Sequence, residues 1–179
     1  MLFYCTEEAF KTLGKYNKIT NEIHGYDIFS WEVIQVQNKD DVFLIFLNDG
    51  SGIVFILYYI DNSKVELNKS VITEAIFQIM KDLQYPPELI TLYLDQIWEV
   101  NVSNKYYYNH IEAMSDMLTL FKEELISNID RNTLIQRKIS YILNNRHIDI
   151  WNDYYEYKRS CKIMEDKIMK YRRTVNIGK

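Results

Sequence analysis

Residues 42–60, VFLIFLNDGSGIVFILYYI, constrain this chain more than any other stretch. Two nearly unbroken apolar runs flank the loop Asn48-Asp49-Gly50-Ser51-Gly52. Short runs rich in β-branched and aromatic residues, split by Asp-Gly, predict a β-hairpin. Because apolar residues occupy successive positions, both faces of that hairpin must be covered. The expected fold is therefore α+β: a small, mostly antiparallel sheet around a central buried hairpin (about 42–48 and 53–60), covered by helices, with a helical C-terminal half.

The flanking sequence fills in that frame. Residues 2–5 can form a short strand, after which Thr6 offers an N-cap to a helix with Glu7 and Glu8 in its first turn. Gly14 ends it, and residues 15–28 read as a polar loop. A strand follows over 29–36, with Trp31, Val33 and Gln35 on one face and Ser30, Glu32, Ile34 and Val36 on the other. Ser70 can cap a helix whose apolar positions run from Ile72 to Leu83 at helical period. Pro86-Pro87 stops it and opens a second helix, and Trp98 to Val102 alternates as a strand. Further helices are expected at 111–126, from Leu134 to a break at Asn144-Asn145-Arg146, and at about 153–173.

The chain has 179 residues, 47% of them hydrophobic, with 5 glycines and 2 prolines, which suits one packed domain. We expect an α+β domain over 1–150 and a basic, tyrosine-rich helix and tail over 151–179, packed on the same domain. Cys5 and Cys161 stand far apart without metal-ligand spacing, so a reducing compartment is expected. The opening MLFYCTEEAF lacks a signal-peptide pattern and no apolar run is long enough to span a bilayer, so the expected location is cytoplasmic. Net charge is −4, yet residues 158–179 hold eight basic residues against two acidic ones. An acidic body with a basic tail can meet a polyanion through the tail or fold the tail onto itself.

No phosphate-binding loop, dinucleotide fingerprint, zinc-protease motif or serine nucleophile elbow is present, and His24, His110 and His147 are widely spaced. No cofactor and no metal centre are expected. Three places could carry chemistry. The loop with Asn48, Asp49 and Ser51 could hold an anion on its backbone N–H groups, although Asp-Gly is also ordinary hairpin chemistry. At 104–112, Lys105 could meet a phosphate, Tyr106 and Tyr107 could stack on bases, and His110 with Glu112 could serve as acid and base, with Asp49 as a third catalytic candidate. The alternative there is a packed aromatic junction. In the tail, Arg159, Lys170, Arg172 and Arg173 interleave with tyrosines as a nucleic-acid surface, or simply as a solvated face. Trp31 joins the binding candidates.

Several segments occur together in one order: Cys5-Thr6 before a short helix, Ser30-Trp31 opening a strand, Leu47-Asn48-Asp49-Gly50-Ser51 at the hairpin, and Asn104-Lys105 before a helix. In this the chain resembles a family of small bacterial domains of unknown function, common in Firmicutes. That pattern runs C-T-K-K-L, S-W-H-A-N, V-N-D-A-S-R and N-R-S, and the likeness covers about residues 1–145. Where the family carries basic residues this chain has Glu7-Glu8, Gly52 and Asp40-Asp41, and Glu32 replaces its histidine. The resemblance implies the fold and no activity. In style, a small, acidic, tyrosine-rich chain also resembles anti-CRISPR proteins of phages and mobile elements that act on Cas9, which implies Cas9 or its guide RNA as target.

The function expected is an accessory protein of a mobile element that inhibits a nucleic-acid-handling defence complex. Its partner would be a protein, such as Cas9 with guide RNA, with RNA contact and without membrane contact. The alternatives are a metal-independent ribonuclease acting on structured or guide RNA, and a non-catalytic structural or binding module.

Overall fold

In the computed structural model the buried hairpin lies inside a six-stranded sheet in the order β2-β6-β1-β3-β4-β5. The structure describes residues 1–20, 28–61, 65–97, 99–104, 127–150 and 165–169, with the backbone alone for 146–150. The strands are β1 (Leu2–Cys5), β2 (Lys18–Ile19), β3 (Ser30–Asn38), β4 (Asp41–Asn48), β5 (Val54–Ile60) and β6 (Asn101–Ser103). The helices are α1 (Glu7–Leu13), α2 (Lys69–Asp82), α3 (Pro87–Asp95) and α4 (Arg137–Ile150), and residues 165–169 are also helical.

The α+β expectation and the hairpin both hold. β3, β4 and β5 form an antiparallel meander, with Ile34 facing Ile45 and Ile45 facing Ile56. The other half of the sheet is parallel: β1 pairs β3 and β6, and β6 pairs β2. No local signal specifies those pairings, because each joins segments separated by a helix or more.

Strand alternation divides the interior in two. Phe3, Cys5, Trp31, Val33, Leu44, Phe46, Phe55 and Leu57 point into the larger core, closed by α1, α2 and α3. Here Phe46 stacks on Phe55 at 4.2 Å and meets Phe3 edge-on at 5.3 Å. Ile34, Phe43, Ile45, Leu47, Val54, Ile56 and Tyr58 point the other way, against Ile139 and Leu143 of α4. Each fully buried Leu, Ile or Phe contributes about 1.5–3 kcal/mol relative to exposure, so the hairpin supplies much of both cores.

Local chemistry explains most helix ends. The Thr6 hydroxyl accepts the Ala9 N–H at 3.3 Å, as expected of the cap. Gly14 closes α1 where a Cβ would meet Phe10 O at 2.8 Å. The cap of α2 is Asn68 and not Ser70: its side chain accepts from the N–H groups of Ser70 and Val71. That helix ends in a Schellman motif, with Tyr85 N–H on Met80 O and Gln84 N–H on Lys81 O, and Gln84 left-handed at φ 61°.

Other boundaries differ from the sequence expectation. The polar loop holds the short edge strand β2 at Lys18–Ile19. Strand β6 begins at Asn101, later than alternation suggests, and Trp98 lies outside the described residues. The helix expected from Leu134 starts at Arg137, because Leu134 and Ile135 run along the outer edge of β5 instead. Nor does it break at Asn144-Asn145-Arg146; it continues to Ile150. Asn144 faces inward, and its amide bonds the β5 backbone. Among the described residues, no helix is long and apolar enough to cross a membrane.

Candidate functional site

Asn48, the last residue of β4, organises the hairpin tip. Its Nδ2 donates to the carbonyls of Ile28 at 2.8 Å and Ser30 at 3.2 Å. Its Oδ1 accepts from Gly50 N–H, Ser51 N–H and the Ser51 hydroxyl at 3.2, 2.9 and 2.7 Å. The remaining loop amides are also engaged: Asn48 N–H on Ile53 O, Asp49 N–H on Ser30 O, Gly52 N–H on Asn48 O and Ile53 N–H on the Ser51 hydroxyl. Gly52 supplies the left-handed step, at φ 72°. Every backbone N–H that an anion nest would use therefore has an internal acceptor. The loop is a self-satisfied turn that ties β4 to the start of β3.

Trp31 is equally internal. It is fully buried, its Nε1–H donates to the Tyr93 hydroxyl at 3.3 Å, and its ring meets Phe55 edge-on at 5.1 Å. Tyr93 in turn donates to Ile28 O at 2.5 Å. Asn48 from β4 and Tyr93 from α3 thus converge on one carbonyl. The structure places Trp31, Asn48 and Ser51 together, as scaffold and not as an open surface. Cys5 is also enclosed, and burial pushes its thiol well above the ordinary range.

Glu32 is the group that the residue pattern did not single out as a site. On the face opposite Trp31, a row crosses the strands from Ser103 through Tyr4 and Glu32 to Leu47. Glu32 is 1% exposed, and among the described residues no donor reaches either of its carboxylate oxygens. Burial, and after it the charge of nearby Asp49, push its carboxyl up to about 8. Alternation had placed Glu32 on the same face as Ile34, an apolar position; that mismatch was the available signal.

A groove of about 850 Å³ lies where α3 faces residues 165–169. Pro87 at the first helical position starts α3, and Ile90 and Tyr93 turn inward. This leaves Leu89 and Leu92, with Met169 opposite, as the apolar floor. Glu88, Asp95, Glu165 and Asp166 line it as well, and among the described residues no basic one does. Met169 is 41% exposed, while its neighbour Ile168 is in the main core.

The other candidates, Lys105, Tyr106, Tyr107, His110, Glu112, Arg159, Lys170, Arg172 and Arg173, lie outside the described residues. Asp49, the third catalytic candidate, sits at the hairpin tip beside Glu32. Among the described residues no three His, Cys, Asp or Glu side chains gather as a metal site.

Compared with known proteins, residues 2–162 match a family described as a domain of unknown function, DUF6933. No curated protein matches the chain.

Proposed function

We propose, for a chain that belongs to the DUF6933 family of domains of unknown function, the role of an interaction protein that engages a basic partner. The observation that carries this reading is the groove at α3: an apolar floor of Leu89, Leu92 and Met169 beside four carboxylates, with no basic residue among the described residues that line it. Such a surface fits an amphipathic segment with Lys or Arg along one flank, because apolar contact and charge attraction then act together. Proteins that handle nucleic acid present segments of that kind, since their channels are built to attract phosphate.

In its finer form the proposal is an anti-CRISPR-like accessory protein of a bacterial mobile element, working in the cytoplasm on Cas9 or its guide RNA complex. The net charge of −4 supports it, as an acidic exterior competes for basic channels. The test mixes the protein with Cas9 and guide RNA and follows DNA cleavage. Inhibition at excess protein that is relieved by the double variant Asp95→Lys, Glu165→Lys is expected. Unchanged cleavage removes Cas9 as the target. Following the guide RNA in the same mixtures with EDTA separates inhibition from the ribonuclease alternative, which predicts shortened RNA.

A further inference from the structure

The segment 165–169 forms one wall of the groove at α3, and Met169 is part of its floor. The next ten residues of the sequence, KYRRTVNIGK over 170–179, lie outside the described residues. Their composition is the complement of the groove. They carry four cations (Lys170, Arg172, Arg173 and Lys179), no acid, and the apolar side chains of Tyr171, Val175 and Ile177.

The groove offers four carboxylates, and among the described residues none of them holds an ion pair. Elsewhere Glu7, Asp41, Asp82 and Glu99 each pair with a Lys or Arg. Glu88 and Asp95 stand exposed near the two ends of α3, with Leu89 and Leu92 between them. The nine residues of α3 make it about 14 Å long. Ten residues of extended chain span up to about 33 Å, enough to turn after Met169 and run the length of α3. An exposed ion pair contributes little alone. A segment tethered at the wall, however, meets the groove at an effective concentration of roughly a millimolar, so several weak contacts made together hold it.

We infer that residues 170–179 occupy the groove at α3 of their own chain, their cations against its four carboxylates and their apolar side chains over Leu89 and Leu92. They thereby compete with the basic partner, which makes the tail a built-in regulator of that surface. This rests on the reading of the groove as a docking surface for basic segments, whichever partner it takes.

The test uses the full chain, as wild type and as Arg172→Glu, Arg173→Glu, with a fluorescein-labelled peptide of sequence KYRRTVNIGK followed by anisotropy. The peptide should bind the double variant about tenfold more tightly than wild type, whose own tail fills the groove in most molecules. Adding Asp95→Lys and Glu165→Lys should abolish that binding, and binding that survives them overturns the inference. Should that quadruple variant not fold, the backbone amides of α3 decide. Their NMR resonances, those of Leu92 and Asp95 above all, should shift between wild type and the double variant. Unmoved α3 resonances, or equal peptide affinity for the two proteins, overturn the inference. A wild-type dimer that the double variant dissociates, seen by light scattering, also overturns it, because the tail then sits on a second copy. Neither main readout involves Cas9, so unchanged DNA cleavage removes that target and leaves the docked tail standing. Equal peptide affinity removes the tail and leaves the groove open to a partner.

Discussion

Asn144 completes both backbone hydrogen bonds of Val54 at the open edge of β5. Its Oδ1 accepts the Val54 N–H at 3.0 Å and its Nδ2 donates to the Val54 carbonyl at 2.6 Å. One helical turn earlier, the Ser140 hydroxyl accepts from Ile56 N–H at 3.0 Å. Gln136 N–H then donates to Ile56 O at 3.0 Å, and Leu134 O accepts from Tyr58 N–H at 2.8 Å. Leu134, Gln136, Ser140 and Asn144 thereby serve as a substitute strand, which closes an edge that would otherwise be free to pair with another chain.

Asn144→Leu removes both partners of a buried peptide unit while preserving volume. We expect a loss of about 2–4 kcal/mol, since two buried backbone groups are left unpaired. Ser140→Ala should cost about 1 kcal/mol. Urea unfolding measures both, and Asn144→Leu should also show concentration-dependent association by light scattering.

Asn48→Asp keeps the acceptor for Gly50, Ser51 and the Ser51 hydroxyl but loses the donors to Ile28 O and Ser30 O. It also buries a charge, so a loss of about 3 kcal/mol or more is expected by chemical denaturation. Ser51→Ala loses one hydroxyl and should cost only about 1 kcal/mol. Equal costs for the two variants would contradict the central role given to Asn48.

Gln84 holds the left-handed position at the end of α2, where glycine is free of the Cβ penalty. Gln84→Gly should raise stability by roughly 0.5–1 kcal/mol, seen as a higher unfolding midpoint with unchanged slope. A lower midpoint would show that the Gln84 side chain contributes more than its backbone strain costs.

Glu32 gives stability a distinctive pH dependence. Its folded pKa is raised above the unfolded value, so the native state holds the proton more tightly. That contribution is complete below about pH 4.5 and is lost as pH rises through about 8. The slope approaches about 1.4 kcal/mol per pH unit between those limits. Glu32→Gln should flatten it and gain most over wild type above pH 8. Asp41 acts in the opposite sense. Hydrogen bonds from Arg131 and Tyr58 hold its carboxyl below the usual range, so its contribution is present at neutral pH and lost in acid. Unfolding midpoints of Glu32→Gln and Asp41→Asn across pH test both signs.

Cys5 should be inert in the native state. In a Cys161→Ser background, a thiol reagent should label Cys5 only at the rate of unfolding and rapidly in denaturant, because the thiol is enclosed and its ionisation suppressed. Rapid native labelling would place Cys5 at an accessible surface.

The candidate sites were unevenly legible. Ser30-Trp31, Asn48-Asp49 and Cys5-Thr6 stood out in the sequence, and the fold brings them to the adjacent strands β1, β3 and β4 or the residue just after them. Their tasks could not be read, because whether an asparagine side chain faces a ligand or its own loop depends on which backbone lies opposite. Ile28, the acceptor for Asn48 and Tyr93, is 20 and 65 residues away from them. The groove at α3 was invisible for a similar reason, since it exists only where residues 165–169 face α3.

By itself the sequence determined what depends on neighbours along the chain. The apolar runs made the hairpin, Thr6 and Gly14 bounded α1, Pro86-Pro87 separated α2 from α3, and alternation assigned the faces of β3. Tertiary structure decided the parallel pairing of β1 with β3 and β6, the turn of Asn144 from apparent helix breaker into edge partner, and the isolation of Glu32. These outcomes depend on what is buried against what. Burial sets whether a polar side chain keeps its water, finds a backbone partner, or is left with its charge unmet.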